Sequence, residues 1–151
     1  MTVFYLPKRR KCDILDEMVY NVKQLIGGHI MKTNESAENY LETILILSRK
    51  NPVVRSVDIA AELDFKKSSV SVAMKNLREA GHITVTKEGF IYLTDSGREI
   101  AEMIYERHET LSAWLIRLGV DEKTATEDAC RIEHDISKES FEAIKKFIGV
   151  S

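Results

Sequence analysis

The chain has 151 residues, 44% of them hydrophobic and 30% charged, with a formal charge of −2. That length supports one ordinary core, or one with a dependent appendage, without disulfides or a structural metal. The near-neutral balance excludes a globally basic nucleic-acid binder, so any such affinity must come from a local patch.

Residues 1–30 read as an amino-terminal extension. Its basic run at 8–11 is not followed by the long apolar stretch of a signal peptide. Residues 14–30 mix Asp16, Glu17, Lys23 and Gln24 with apolar positions, the pattern of an amphipathic helix. No window approaches the ~18 uninterrupted apolar residues of a spanning helix, so a soluble protein with no membrane association is expected. Cys12 and Cys130 are far apart, fit no zinc-ribbon spacing and build no disulfide framework, which points to a reducing cytoplasm. Gly27-Gly28 closes the first stretch. Residues 31–36 then look like a fresh start, with Met31 as an alternative first residue and Asn34 or Ser36 as a helix cap.

A helix is predicted over 37–49, with Tyr40, Leu41, Ile44, Leu45 and Leu47 as its buried stripe, stopped by Asn51-Pro52. A short helix follows at 56–63 with Ile59 and Leu63 inward. After a turn at 64–65, a third runs from 67 to 80 with Val70, Ala73, Met74 and Leu77 at helical spacing. Gly81 closes it. The period then changes to two: β-rich runs at 82–86 and 90–94 flank Lys87-Glu88-Gly89, a hairpin with glycine in its turn. Ser96 opens a long amphipathic helix carrying Ile100, Met103, Ile104, Leu111, Trp114, Leu115 and Leu118, ended by Gly119. Two more helices are expected at 122–134 and 137–148, the latter capped by Ser137 with Ser140 as its third residue.

Two short helices joined by a tight turn, then a hairpin, make a winged helix-turn-helix. In that geometry the third helix enters the major groove of double-stranded DNA. With Val70, Met74 and Leu77 inward, its outer face holds Lys66, Lys67, Ser68, Ser69, Ser71, Val72, Lys75 and Asn76. No acid occurs between residues 65 and 78, so this is the local basic patch that the overall charge conceals. Lysines and serines suit phosphates, Ser and Asn also suit base edges, and Val72 suits a thymine methyl. Lys87 at the hairpin tip is placed for a neighbouring phosphate. An ordinary solvated helix face is the plainer alternative.

Cys130, Glu133 and His134 stand at i, i+3 and i+4, so one helix face carries a thiol, a carboxylate and an imidazole. Such a set supplies most of the shell of a first-row metal. His108 on the preceding helix reaches the same volume if the two helices pack antiparallel, and Asn39 and Glu42 offer oxygen from the first. Each residue alone has a blander reading: a buried apolar thiol, a solvated Glu-His pair, a surface histidine.

The runs Glu38-Asn39-Tyr40-Leu41-Glu42-Thr43-Ile44, Tyr105-Glu106-Arg107-His108-Glu109 and Asp128-Ala129-Cys130-Arg131-Ile132-Glu133-His134 together resemble the diphtheria-toxin-repressor and manganese-transport-regulator family, over about residues 34–148. The resemblance implies a mainly α fold. A winged helix-turn-helix DNA-binding domain at 31–95 would precede a helical metal-binding and dimerisation domain at 96–151. It also implies a metal-dependent repressor of metal-uptake genes, not an enzyme, with Glu42, His108, Cys130, Glu133 and His134 at ligand positions for Mn²⁺ or Fe²⁺. Asn39 departs from the family, standing where iron regulators carry methionine and manganese regulators aspartate. Ser112 and Thr126 replace ancillary ligands of the iron branch, and no room remains for that branch's SH3-like domain. Cys130 resembles the iron branch, whereas the length and the hard oxygens of Glu42 and Asn39 suit Mn²⁺, so the metal stays open.

Trp114, Leu115 and Leu118 are the expected homodimer surface, and a two-fold dimer implies a palindromic operator. Three alternatives stay open at this point: a metal-blind winged-helix regulator, a purely protein-binding winged domain, and a metallohydrolase using Glu133 as base. The last lacks a second histidine one helical turn from His134.

Overall fold

A computed structural model describes residues 35–150 of the chain. The expected amino-terminal extension at 1–30, the restart at Met31 and the cap at Asn34 lie outside these residues. The order is α1 (Glu35–Lys50), α2 (Ser56–Leu63), α3 (Lys67–Glu79), β1 (Ile83–Val85), β2 (Ile91–Leu93), α4 (Asp95–Arg117), α5 (Glu122–Asp135) and α6 (Lys138–Ile148). The molecule is mainly helical, with a winged helix-turn-helix first and a helical part after it, the fold class expected.

Helix α1 starts two residues ahead of the predicted 37, which puts Ser36 inside its first turn. Leu41, Ile44 and Leu45 on its apolar stripe are almost fully buried. Helix α2 ends on Asp64, whose φ of 55° is left-handed, and this reverses the chain into α3. A short polar side chain tolerates that conformation better than a branched one. Val70, Met74 and Leu77 of α3 then face inward as their spacing requires.

The strands pair antiparallel with Ile83 opposite Leu93 and Val85 opposite Ile91. Each is shorter than its predicted run, because only three rungs form before the chain turns. Gly89 takes φ 82° in that turn. The Ile91 N–H donates to the Val54 carbonyl at 2.8 Å, so the α1–α2 connection is stitched to the wing.

Helix α4 opens at Asp95, one residue ahead of the predicted Ser96, because Thr94 is the cap: its hydroxyl accepts from Gly97 N–H. The helix passes so close to the wing that a β-carbon on Gly97 would stand 1.9 Å from the His82 carbonyl oxygen. Ser96 instead meets His82 Nδ1 at 2.9 Å. Ser137 caps α6 by accepting from Ser140 N–H, as read from the sequence.

Among the described residues there are two apolar clusters. One gathers α1, α2, α3, the wing and Ala101 of α4; the other gathers Leu111, Ala129 and Phe141, with Trp114, Ile132, Ile136 and Ile144 packed against them. The 23-residue helix α4 runs through both, so it is the shared beam of the molecule. No described helix is long and apolar enough to cross a membrane.

Candidate metal centre

Between the two clusters α1, α4 and α5 bring polar side chains into the interior. Glu42 and Glu133 are fully buried, His108 is 4% exposed and Glu38 9%. Carboxyl groups are seldom found so deep unless paired. Here His108 Nδ1 donates to Glu133 Oε2 at 2.7 Å, and His134 Nδ1 to Glu38 Oε2 at 2.7 Å. The other nitrogen of His134, Nε2, faces Asn39 Oδ1 at 3.2 Å and Glu133 Oε1 at 3.3 Å. Arg107, also buried, donates from Nη1 to the Glu133 carbonyl at 2.9 Å and lies over the Phe141 ring.

Of the six predicted ligands, four are thus joined by direct contacts: Asn39, His108, Glu133 and His134. Glu42 is buried on α1, one turn after Glu38 and Asn39. Cys130 is half-buried on α5, one turn ahead of His134 on the same face. Sequence reasoning passed over Glu38. Its signal was the i, i+4 spacing to Glu42, which places both on one face of α1.

The donor set suits a divalent first-row ion: carboxylate and amide oxygens, two imidazoles and a nearby thiol. Among the described residues no three His, Cys, Asp or Glu side chains stand ready as a cage; they hydrogen-bond to one another instead. Burial opposes a charge on His134, but hydrogen bonds and negative charge from Glu133 and Glu38 outweigh it and push its pKa up to about 9. A site that raises the proton affinity of its histidine this way is also one where a metal ion competes with that proton.

The predicted reader face is on the surface. Lys66, Lys67, Ser68, Ser69, Ser71, Lys75 and Asn76 are exposed, Val72 is 60% exposed, and the first turn of α3 holds no acid. The Ser71 hydroxyl bonds back to the Lys67 carbonyl, and Lys75 lies 3.9 Å from Glu79. Lys87 is exposed at the wing tip. Of the expected dimer residues, Trp114 and Leu115 are half-buried, Trp114 against its own chain's second cluster, and Leu118 is exposed. Ile116, Phe147 and Val150 are exposed beyond that set.

Residues 32–89 match the family described as the iron dependent repressor, N-terminal DNA binding domain, and residues 94–150 the iron dependent repressor, metal binding and dimerisation domain. An uncharacterised helix-turn-helix transcriptional regulator of Methanocaldococcus jannaschii is 37% identical over 76% of this chain and 94% of its own. The chain belongs to the iron-dependent repressor family. The transcriptional regulator MntR of Escherichia coli is 31% identical over 88% of this chain and 84% of its own. A solved manganese-dependent transcriptional repressor in complex with manganese superposes with a TM-score of 0.69 at 26% identity, covering 76% of this chain. This chain spans about half, 53%, of that repressor's length. In this family the metal-binding and dimerisation part is the second match, which here holds α4, α5 and α6.

Proposed function

We propose that this iron-dependent repressor family member is a cytoplasmic homodimer that binds a palindromic operator when Mn²⁺ or Fe²⁺ is bound, represses metal-uptake genes and catalyses no reaction. The observation that carries the reading is the buried contact between the reading half and the dimer half: His134 of α5 reaches Glu38 and Asn39 of α1, beside the His108–Glu133 pair within the dimer half. Glu42, His108, Cys130, Glu133 and His134, with Asn39, are the residues that would hold the ion.

A bound divalent cation would supply a positive charge shared by oxygen, nitrogen and sulfur donors from three helices. The residues do the rest. Glu42 and Asn39 tie α1, and through its apolar stripe the α2–α3 pair, to the helix bearing Glu133 and His134. Fixing α1 in this way orients α3 and the wing on each protomer, which sets the spacing of the two reader helices across the two-fold axis. The shift in DNA-binding population is limited by the difference in metal affinity between the two arrangements.

On the reader, Lys66, Lys67, Ser68, Ser69 and Lys87 take phosphates, while Ser71, Val72, Lys75 and Asn76 face base edges. The test is retention of promoter DNA during titration with Mn²⁺ and, anaerobically, Fe²⁺, in the wild type and in Glu133→Ala. DNA binding that rises with metal in the wild type alone is expected. Retention that ignores both metal and substitution would leave a metal-blind regulator instead.

A further inference from the structure

We propose that Glu38 is the positioning residue of this centre: its carboxyl group takes the Nδ1 hydrogen of His134, so that the ring turns Nε2 toward the divalent cation. The inference rests on the metal-sensing reading above and assigns a role to a residue outside the ligand set.

The two nitrogens of His134 face different chemistry. Nδ1 lies 2.7 Å from Glu38 Oε2. Nε2, on the other edge of the ring, faces Asn39 Oδ1 at 3.2 Å and Glu133 Oε1 at 3.3 Å. An imidazole binds a metal through one nitrogen, and the hydrogen bond made by the other fixes both its tautomer and its plane. The edge facing oxygens of α1 and α5 together is the one that can share an ion with them. Glu38 stands on the opposite edge, so it orients the ring and does not join the same ligand group.

Burial makes the contact specific. The His134 side chain is 3% exposed and that of Glu38 11%, so little water competes for either partner. The pair also spans 96 positions of sequence, joining the first turn of α1 to the last turn of α5. Glu38 therefore holds the histidine against the reading half. A metal arriving at Nε2 meets a ring already turned.

The experiment uses the full chain and the variants Glu38→Ala, Glu38→Gln and Glu133→Ala. Mn²⁺ affinity is measured by competition with a chelator, and ring ¹⁵N shifts are read on Zn²⁺-loaded protein. Glu38→Ala is expected to weaken Mn²⁺ binding about 10- to 100-fold, the usual loss when an orienting partner is removed. Glu38→Gln, which keeps the shape and one acceptor oxygen, loses less and guards against a mere folding failure. In the wild type His134 should bond Zn²⁺ through Nε2 and keep a proton on Nδ1. Wild-type Mn²⁺ affinity in Glu38→Ala, or coordination through Nδ1, overturns the positioning role alone if Glu133→Ala still loses the metal. A wild type that takes up neither Mn²⁺ nor Zn²⁺ overturns the sensor reading and this inference together.

Discussion

At the scale of single residues the buried centre turns on the protonation of one imidazole, that of His134. The ordinary histidine pKa of 6.5 is raised to about 9 on His134, against the cost of burial, by Glu133 and Glu38. The folded value lies above the unfolded one. The pair therefore stabilises the metal-free protein fully below about pH 6.5 and loses that contribution as the pH rises through about 9. Between those limits the thermal midpoint of metal-free wild type should fall more steeply than that of His134→Gln; parallel curves would remove the charged pair from the folded state. That Cys130, Glu133 and His134 share one face of α5 was legible because a helix repeats every 3.6 residues and brings i, i+3 and i+4 together. Glu38 was not. Its partner, His134, lies 96 positions away on α5.

At the scale of elements, local sequence rules placed six helices and a hairpin within a few residues of where they stand among the described residues. Where they slipped, a tertiary contact was responsible. Ser96 was expected to open the long helix, yet its hydroxyl faces His82, and Thr94, whose side chain also reaches the Gly81 carbonyl at 2.7 Å, caps the helix one residue earlier. The same junction explains Gly97. Gly97→Ala forces a methyl group onto the His82 carbonyl, which cannot swing aside without breaking the hydrogen bond it accepts from Thr94 N–H. We expect a loss of about 1–3 kcal/mol from such overpacking, seen as a lower thermal or urea midpoint. An unchanged midpoint would mean that the wing does not press on α4. Helix α3 carries its own prediction. Lys67 stands exposed in an acid-free first turn, so Lys67→Ala should weaken binding to any DNA sequence alike. It should also lower the slope of log affinity against log salt by about one. An unaltered slope would move the phosphate contact elsewhere.

At the scale of the whole molecule, the question is what covers the apolar surface of the helical half. Trp114 has spent part of its area within its own chain, whereas Phe147 is 85% exposed and Leu118 63%. Both lie in the half that matches the metal binding and dimerisation domain, where we expect the partner surface to include them. Phe147→Ser should therefore leave the fold of the protomer intact and weaken self-association at least tenfold, measured by sedimentation across a dilution series, since buried aromatics dominate such interfaces. Association at wild-type strength would place the two-fold axis on another face. The dimer matters to the reader helices because it sets the distance between them.

Periodicity, capping chemistry and turn residues were enough to settle the helices, the wing, the inward face of α3 and the cluster on α5. All of these depend on neighbours within a few positions. Which polar side chains from distant segments meet, and that Glu38 joins them, were decided only when α1, α4 and α5 packed together, whereas the need for Gly97 beside His82 and the exposure of Phe147 were decided by how α4 meets the wing and where α6 lies. Those contacts are set by packing across as many as 96 positions, and no local rule of spacing carries that information.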